Sequence, residues 1–255
     1  MPVWAFASVY YFVYIAAIAV VRGPAGIRVR ATLISSAGVL LSLLSGRISA
    51  FWLHDLILPV TLLLTSYWAS GLLWTGPMPR IEARLDSFDR ALRLPGLAAR
   101  LSRPLCELLE IAYFSVYGLI PLALVLHLSW SPEPNADRFW TVILVSDYVC
   151  FAMLPWIQTR PPRAVAGCVA WRSAFRGFNE RVLGHASIGV NTVPSGHAAE
   201  GLAMALLLAD APWPIAAWMA FNALAISAGA VLGRYHFAVD AIAGWIVALV
   251  VWTLF

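Results

Sequence analysis

Apolar residues run almost unbroken through eight stretches of this chain, roughly 3–21, 31–45, 50–74, 105–129, 139–157, 197–211, 213–232 and 236–255, and polar residues collect in the gaps between them. A hydrocarbon core about 30 Å thick is crossed by about 20 apolar helical residues. The pattern therefore predicts an all-α, polytopic membrane helical bundle, with a six-helix core that carries the chemistry and amino-terminal additions before it. The second and sixth stretches are short for full spans, and tilt, extension or re-entry would accommodate them. Met1–Val21 lacks a basic leading region and a small-residue cleavage site, so it reads as a retained helix and not as a signal peptide. The absence of an internal repeat or low-complexity tract predicts one membrane domain over 1–255.

Two gaps are long. Residues 77–104 interleave Arg80, Glu82, Arg84, Asp86, Asp89, Arg90 and Arg93 with Ile81, Leu85, Phe88 and Leu92. This spacing predicts an amphipathic surface segment whose arginines face lipid phosphates. Residues 159–194 carry Arg160, Arg163, Arg172, Arg176 and Arg181 and lead into the second half of the chain, so 158–255 is the region expected to hold the chemistry.

Composition narrows the partners. The 255 residues are 61% hydrophobic and 12% charged, and all seventeen basic residues are arginine. A formal charge of +4 scattered over such a chain argues against nucleic acid and for anionic membrane lipids. Cys106, Cys150 and Cys168 have no CxxC spacing, which argues against a zinc site or a disulfide framework. The expected location is a multi-pass integral membrane protein of the plasma (inner) membrane. If all eight stretches span, Arg22, Arg28, Arg30, the surface segment and the 159–194 loop share one face, which the positive-inside rule assigns to the cytoplasm; one re-entrant segment among the first three reverses the count, so both sides stay open.

Ionisable groups at the edges of apolar stretches supply the candidate chemistry. Pro194-Ser195-Gly196-His197 stands just before an apolar run, where a helix amino terminus offers free N–H groups to an anion, Gly196 lets the backbone approach it, and His197 can give a proton to a departing alkoxide. His236 and Asp240 are four apart and share a helix face, so the carboxylate can orient the imidazole as a nucleophile toward phosphorus. Arginine's planar fork suits phosphate, and Arg160 and Arg234 are the leading candidates, with Arg163 beside them. No carboxylate cluster suited to magnesium accompanies these residues, so the expected chemistry needs no metal and no cofactor, and the expected substrate is a lipid phosphate.

The order Arg160-Pro161, Pro194-Ser195-Gly196-His197 and His236-x3-Asp240 resembles the type 2 phosphatidic acid phosphatase superfamily over roughly the last 120 residues. The resemblance implies a helical bundle with its site at one membrane face, Arg160 binding phosphate, Ser195 and Gly196 cradling it, His197 as acid, and His236 with Asp240 as the nucleophilic pair. It implies hydrolysis of a lipid phosphate or polyprenyl (di)phosphate through a phosphohistidine. Met153 and Gly229-Ala230 stand where the family has a lysine and Ser-Arg, and Arg234 or Arg163 is then expected to supply the charge. The stretch Tyr235-His236-Phe237-Ala238-Val239-Asp240 also resembles the branch containing inositol phosphorylceramide synthase, which implies transfer of a phospho-headgroup to another alcohol as the alternative.

Other readings compete. Eight apolar stretches with Glu107, Glu110, Asp147 and Glu200 in or near them would also suit a transporter, although no paired broken helices are evident. An inactive relative would carry the same motifs without turnover, and a rhomboid-like protease has no place for His-x3-Asp. Glu200 is read as favouring a helix amino terminus. His54, His127 and His185 are read as interfacial, with His185 close enough to line the site, and the twelve tryptophans as interfacial anchors.

Overall fold

The computed structural model describes residues 1–165, 171 and 173–255. Cys168 and Arg172 therefore lie outside the described residues. In chain order the helices are α1 (Val3–Arg22), α2 (Ala25–Leu44), α3 (Leu58–Gly71), α4 (Pro79–Ala91), α5 (Leu94–Ala98) and α6 (Arg103–Trp130). There follow α7 (Ala136–Ala152), α8 (Pro162–Val165), α9 (Ala174–Ala186), α10 (Gly196–Leu207), α11 (Trp213–Leu232) and α12 (Ala238–Leu254). Each of the eight apolar stretches is helical, and no strand occurs among the described residues. Among the described residues, four helices are long and apolar enough to cross a membrane: α1, α2 with its extension to Arg47, α6 and α11. The chain is an all-α integral membrane protein.

The boundaries follow local chemistry. α2 starts at Ala25, earlier than the apolar pattern suggests, because Pro24 sets the backbone for a helix start and Gly23 closes α1 by donating its N–H to Ala19 O at 2.8 Å. A π turn over Trp52–Ile57 leads into α3. α7 stops at Ala152 instead of 157, since Pro155 has no N–H to continue the ladder. The 77–104 segment is two helices and not one, because Arg93 turns left-handed at φ 57° between α4 and α5.

The bundle closes through small residues, which let apolar helices approach where no water drives them together. A Cβ on Gly244 of α12 would stand 2.4 Å from Ser195 O, and one on Gly229 of α11 would stand 2.4 Å from Leu109 O of α6. Larger groups fill the centre, among them Trp4, Phe12, Phe139 and Trp140, all fully buried.

Helix length sets the depth of the site. A Cβ on Gly201 of α10 would stand 3.4 Å from Ala223 Cα, so these residues are level. From there α11 continues to Leu232, whereas α10 ends at Gly196. At 1.5 Å per residue, α10 begins about 6 Å, roughly one turn, below the end of α11. The amino terminus of α10 is thereby recessed within the bundle.

α4 leaves Arg80, Arg84 and Arg90 exposed and turns its acids inward. Its acids, not its arginines, set its position: Glu82, Asp86 and Asp89 are buried against the body of the protein, while Leu92 and Phe88 face outward.

Candidate active site

Three segments meet at the recessed end: the loop after α7, the amino terminus of α10, and the α11–α12 connection. The Ser195 side chain caps α10 by accepting from Ala198 N at 3.4 Å. The first-turn amides of Gly196 and His197 have no intrahelical partner and point out of the helix as anion donors. Ser195 N donates to Asp240 O at 2.9 Å, which ties the second motif to the third.

His236 and His197 face each other with ring centroids 6.4 Å apart. His236 Nδ1 is 3.7 Å from Asp240 Oδ2, within ion-pair range but longer than a hydrogen bond. Asp240 Oδ2 meanwhile accepts from Phe237 N and from Asn191 Nδ2, each at 2.8 Å. Asn191 also donates to Thr159 Oγ1 at 3.0 Å and pairs its backbone with that residue. It thus fixes the carboxylate to the first-motif segment, a role the sequence did not disclose. His197 Nε2 is 3.1 Å from Tyr117 Oη.

The arginines divide in a way the motifs do not reveal. Arg160 is clasped by Glu82 of α4: Nε donates to Oε1 at 3.1 Å, Nη2 to Oε2 at 2.8 Å, and the Arg160 amide to Oε1 at 2.8 Å. That contact holds the Glu82 carboxyl below its usual range. Arg234 is buried, with Nη1 on Asp89 and Nη2 on Asp86 at 3.1 Å. Its backbone is left-handed at φ 63°, so the chain turns there, sending the guanidinium to α4 and His236 to the opposite side. Neither arginine lines the cavity in front of the histidines, and Arg163 does.

Arg163 belongs to an aromatic column. Its guanidinium lies 4.5 Å from the centroid of Tyr235, Tyr235 stacks on Tyr113 at 4.1 Å, and Tyr113 meets the His197 ring at 4.9 Å. Burial pushes the Tyr235 hydroxyl above its ordinary pKa, and it donates to Glu110 Oε2 at 2.6 Å. Arg163 N donates to Arg234 O at 3.1 Å, so first and third motifs are joined as well.

The cavity has a volume of about 610 Å³. Its polar end holds Arg163, Gly196, His197, Glu200, Tyr235 and His236, and an apolar wall is formed by Leu56, Ile57, Val60, Leu63 and Leu64 of α3 and its preceding turn and by Ile120 and Pro121 of α6. From Tyr67 to Leu56 the wall runs about 16 Å at 1.5 Å per residue. This is close to half of a bilayer core about 30 Å thick. His185 is not among the lining residues; its Nδ1 lies 2.7 Å from Arg181 O within α9.

Comparison with curated proteins and with solved structures returned no match. A family model described as the PAP2 superfamily matches residues 85–254, two thirds of the chain and all three motif segments, and the chain belongs to that superfamily.

Proposed function

We propose that this protein cleaves a lipid phosphoester by passing the phosphoryl group through His236. The observation that carries the reading is the convergence of His236, His197 and Arg163 on the polar end of one apolar cavity. With Nδ1 toward Asp240, Nε2 of His236 attacks phosphorus. As the ester bond breaks, the departing alkoxide takes a proton from His197 Nε2, displacing Tyr117 from that nitrogen. Water then gives its proton back to His197, attacks the phosphohistidine and releases phosphate, restoring both imidazoles. Charge on the non-bridging oxygens is met by Arg163 and by the amides of Gly196 and His197, so these protein groups provide the clamp. Arg160, half-exposed beside the same loop, holds Glu82 and is assigned to phosphate only if that carboxylate lets go.

An apolar wall one leaflet deep supports a lipid as the substrate, its chain lying between α3 and α6. The deciding experiment presents purified protein with phosphatidate, a polyprenyl diphosphate, phosphatidylglycerophosphate and phosphatidylinositol, with and without inositol as acceptor. Released phosphate supports hydrolysis, and phosphorylation of the added inositol supports transfer. No product from any of them, or undiminished product from His236→Ala, would remove the reading.

A further inference from the structure

Two carboxyl groups beside the site take no part in the steps above. Glu200 lies one turn beyond His197 on α10, and its Oε2 is 3.5 Å from His197 Nδ1. Asp147 of α7 is fully buried, and its Oδ1 is 3.0 Å from where a Cβ on Gly196 would stand. Asp147 lies beside Glu200, and neither Asp147 oxygen nor Glu200 Oε2 has a hydrogen-bond partner among the described residues. Two carboxyls that meet away from water share one proton, because a second charge there would be neither solvated nor paired. The pair then carries a single negative charge, and His197 stands next to it.

A helix-dipole role does not account for this arrangement. Glu200 is the fifth residue of α10, past the first turn in which that effect acts, and the dipole gives no reason for Asp147. The geometry points to a second carboxylate–imidazole dyad: Glu200, backed by Asp147, is a positioning residue that keeps the proton on His197 Nδ1, aims Nε2 into the cavity and balances the imidazolium. It rests on the reading of His197 as proton donor. Through the cycle the imidazolium gives its Nε2 proton to the alkoxide, stays neutral with Nδ1–H on Glu200, and regains a proton from the attacking water. The charge on the carboxyl pair does not change.

Leaving groups separate this role from a structural one. Decyl phosphate needs a proton on its departing alkoxide, and 4-nitrophenyl phosphate does not. Glu200→Gln is expected to lower kcat on decyl phosphate by about 10- to 100-fold, and on the nitrophenyl ester by roughly threefold or less. In a double-mutant cycle, His197→Ala with Glu200→Gln is expected to be no slower than His197→Ala alone, since the carboxylate acts through the ring. Asp147→Asn should show the same leaving-group signature more weakly, and it serves as the test if Glu200→Gln does not fold. Equal losses on both esters, or losses that add in the double variant, overturn the dyad while leaving an active enzyme. A wild-type protein inactive on both esters and on the lipid panel removes the proposed function, and the dyad with it.

Discussion

Replacing Asp89 by asparagine tests whether α4 is the clamp that holds the third motif in place. Asp89 Oδ1 accepts the Ala238 N–H at 3.0 Å, at the first residue of α12, and Oδ2 accepts from the buried Arg234 guanidinium. Asparagine can serve one of these donors with its oxygen, but its NH₂ then confronts the other. One buried donor is left unsatisfied, at about 1–3 kcal/mol, and Arg234 keeps Asp86 as its remaining charge partner. Complete loss of a buried partner costs about 3–5 kcal/mol, so the retained Asp86 contact puts the expected loss near 3 kcal/mol, or about a hundredfold in the folding equilibrium. The same change at Glu82, whose partner Arg160 is half-exposed, is expected to cost far less, because solvent screens that pair. Thermal unfolding of both variants in one detergent measures the difference. Since Asp89 fixes the residue two beyond His236, its loss should also lower kcat more than it raises KM. Similar melting shifts for Asp89→Asn and Glu82→Gln would refute the claim that the Arg234 pair is the buried anchor.

Four further outcomes are expected. His236→Ala should abolish turnover at unchanged melting temperature, and orienting contributions of about 10² to 10⁴ place Asp240→Asn between it and wild type. Arg163→Lys keeps the charge but loses the fork and the stack on Tyr235, so it should slow turnover more than Arg160→Lys does, with both compared on one short-chain lipid phosphate; equal, mild losses would mean another group holds phosphate. Val60→Trp, in the apolar wall, should raise KM for long-chain substrates and spare short ones, which a chain-length series measures. The depressed Glu82 carboxyl contributes stability that is fully present above its ordinary pKa near 4.5 and is lost as pH falls through its lower folded value; Glu82→Gln should therefore flatten the acid limb of the melting-temperature profile.

What the sequence disclosed is what lies close together along the chain. His236 and Asp240 share a face because four residues make about one helical turn, and Ser195 caps α10 because a serine before an apolar run does so locally. The eight apolar stretches likewise announce their helices, and their errors fall at ends set by single residues such as Pro24 and Pro155, while the left-handed Arg93 divides the 77–104 segment. None of those ends moves a site residue.

Charge partners are different, because arginine and carboxylate find each other across the fold. Arg160 and Arg234 follow the α4 acids by 70 to 150 positions, and nothing in Pro77–Pro104 distinguishes Glu82, Asp86 and Asp89 as inward-facing. Periodicity alone says that one face is polar; it does not say that the polar face is the buried one. A basic segment beside a membrane reads as a headgroup anchor on average, yet here the buried Arg234 needs internal counter-charges, since an unpaired buried guanidinium is among the costliest groups a fold can hold. The same reasoning applies to Asn191, which meets Asp240 from 49 positions away, and to α3, which walls the cavity although it precedes the family match at residue 85. The matched region holds the residues proposed to react. The amino-terminal helices supply part of the space in which a substrate chain would lie, so substrate choice is to be sought in residues 56–67, where the motifs give no guidance.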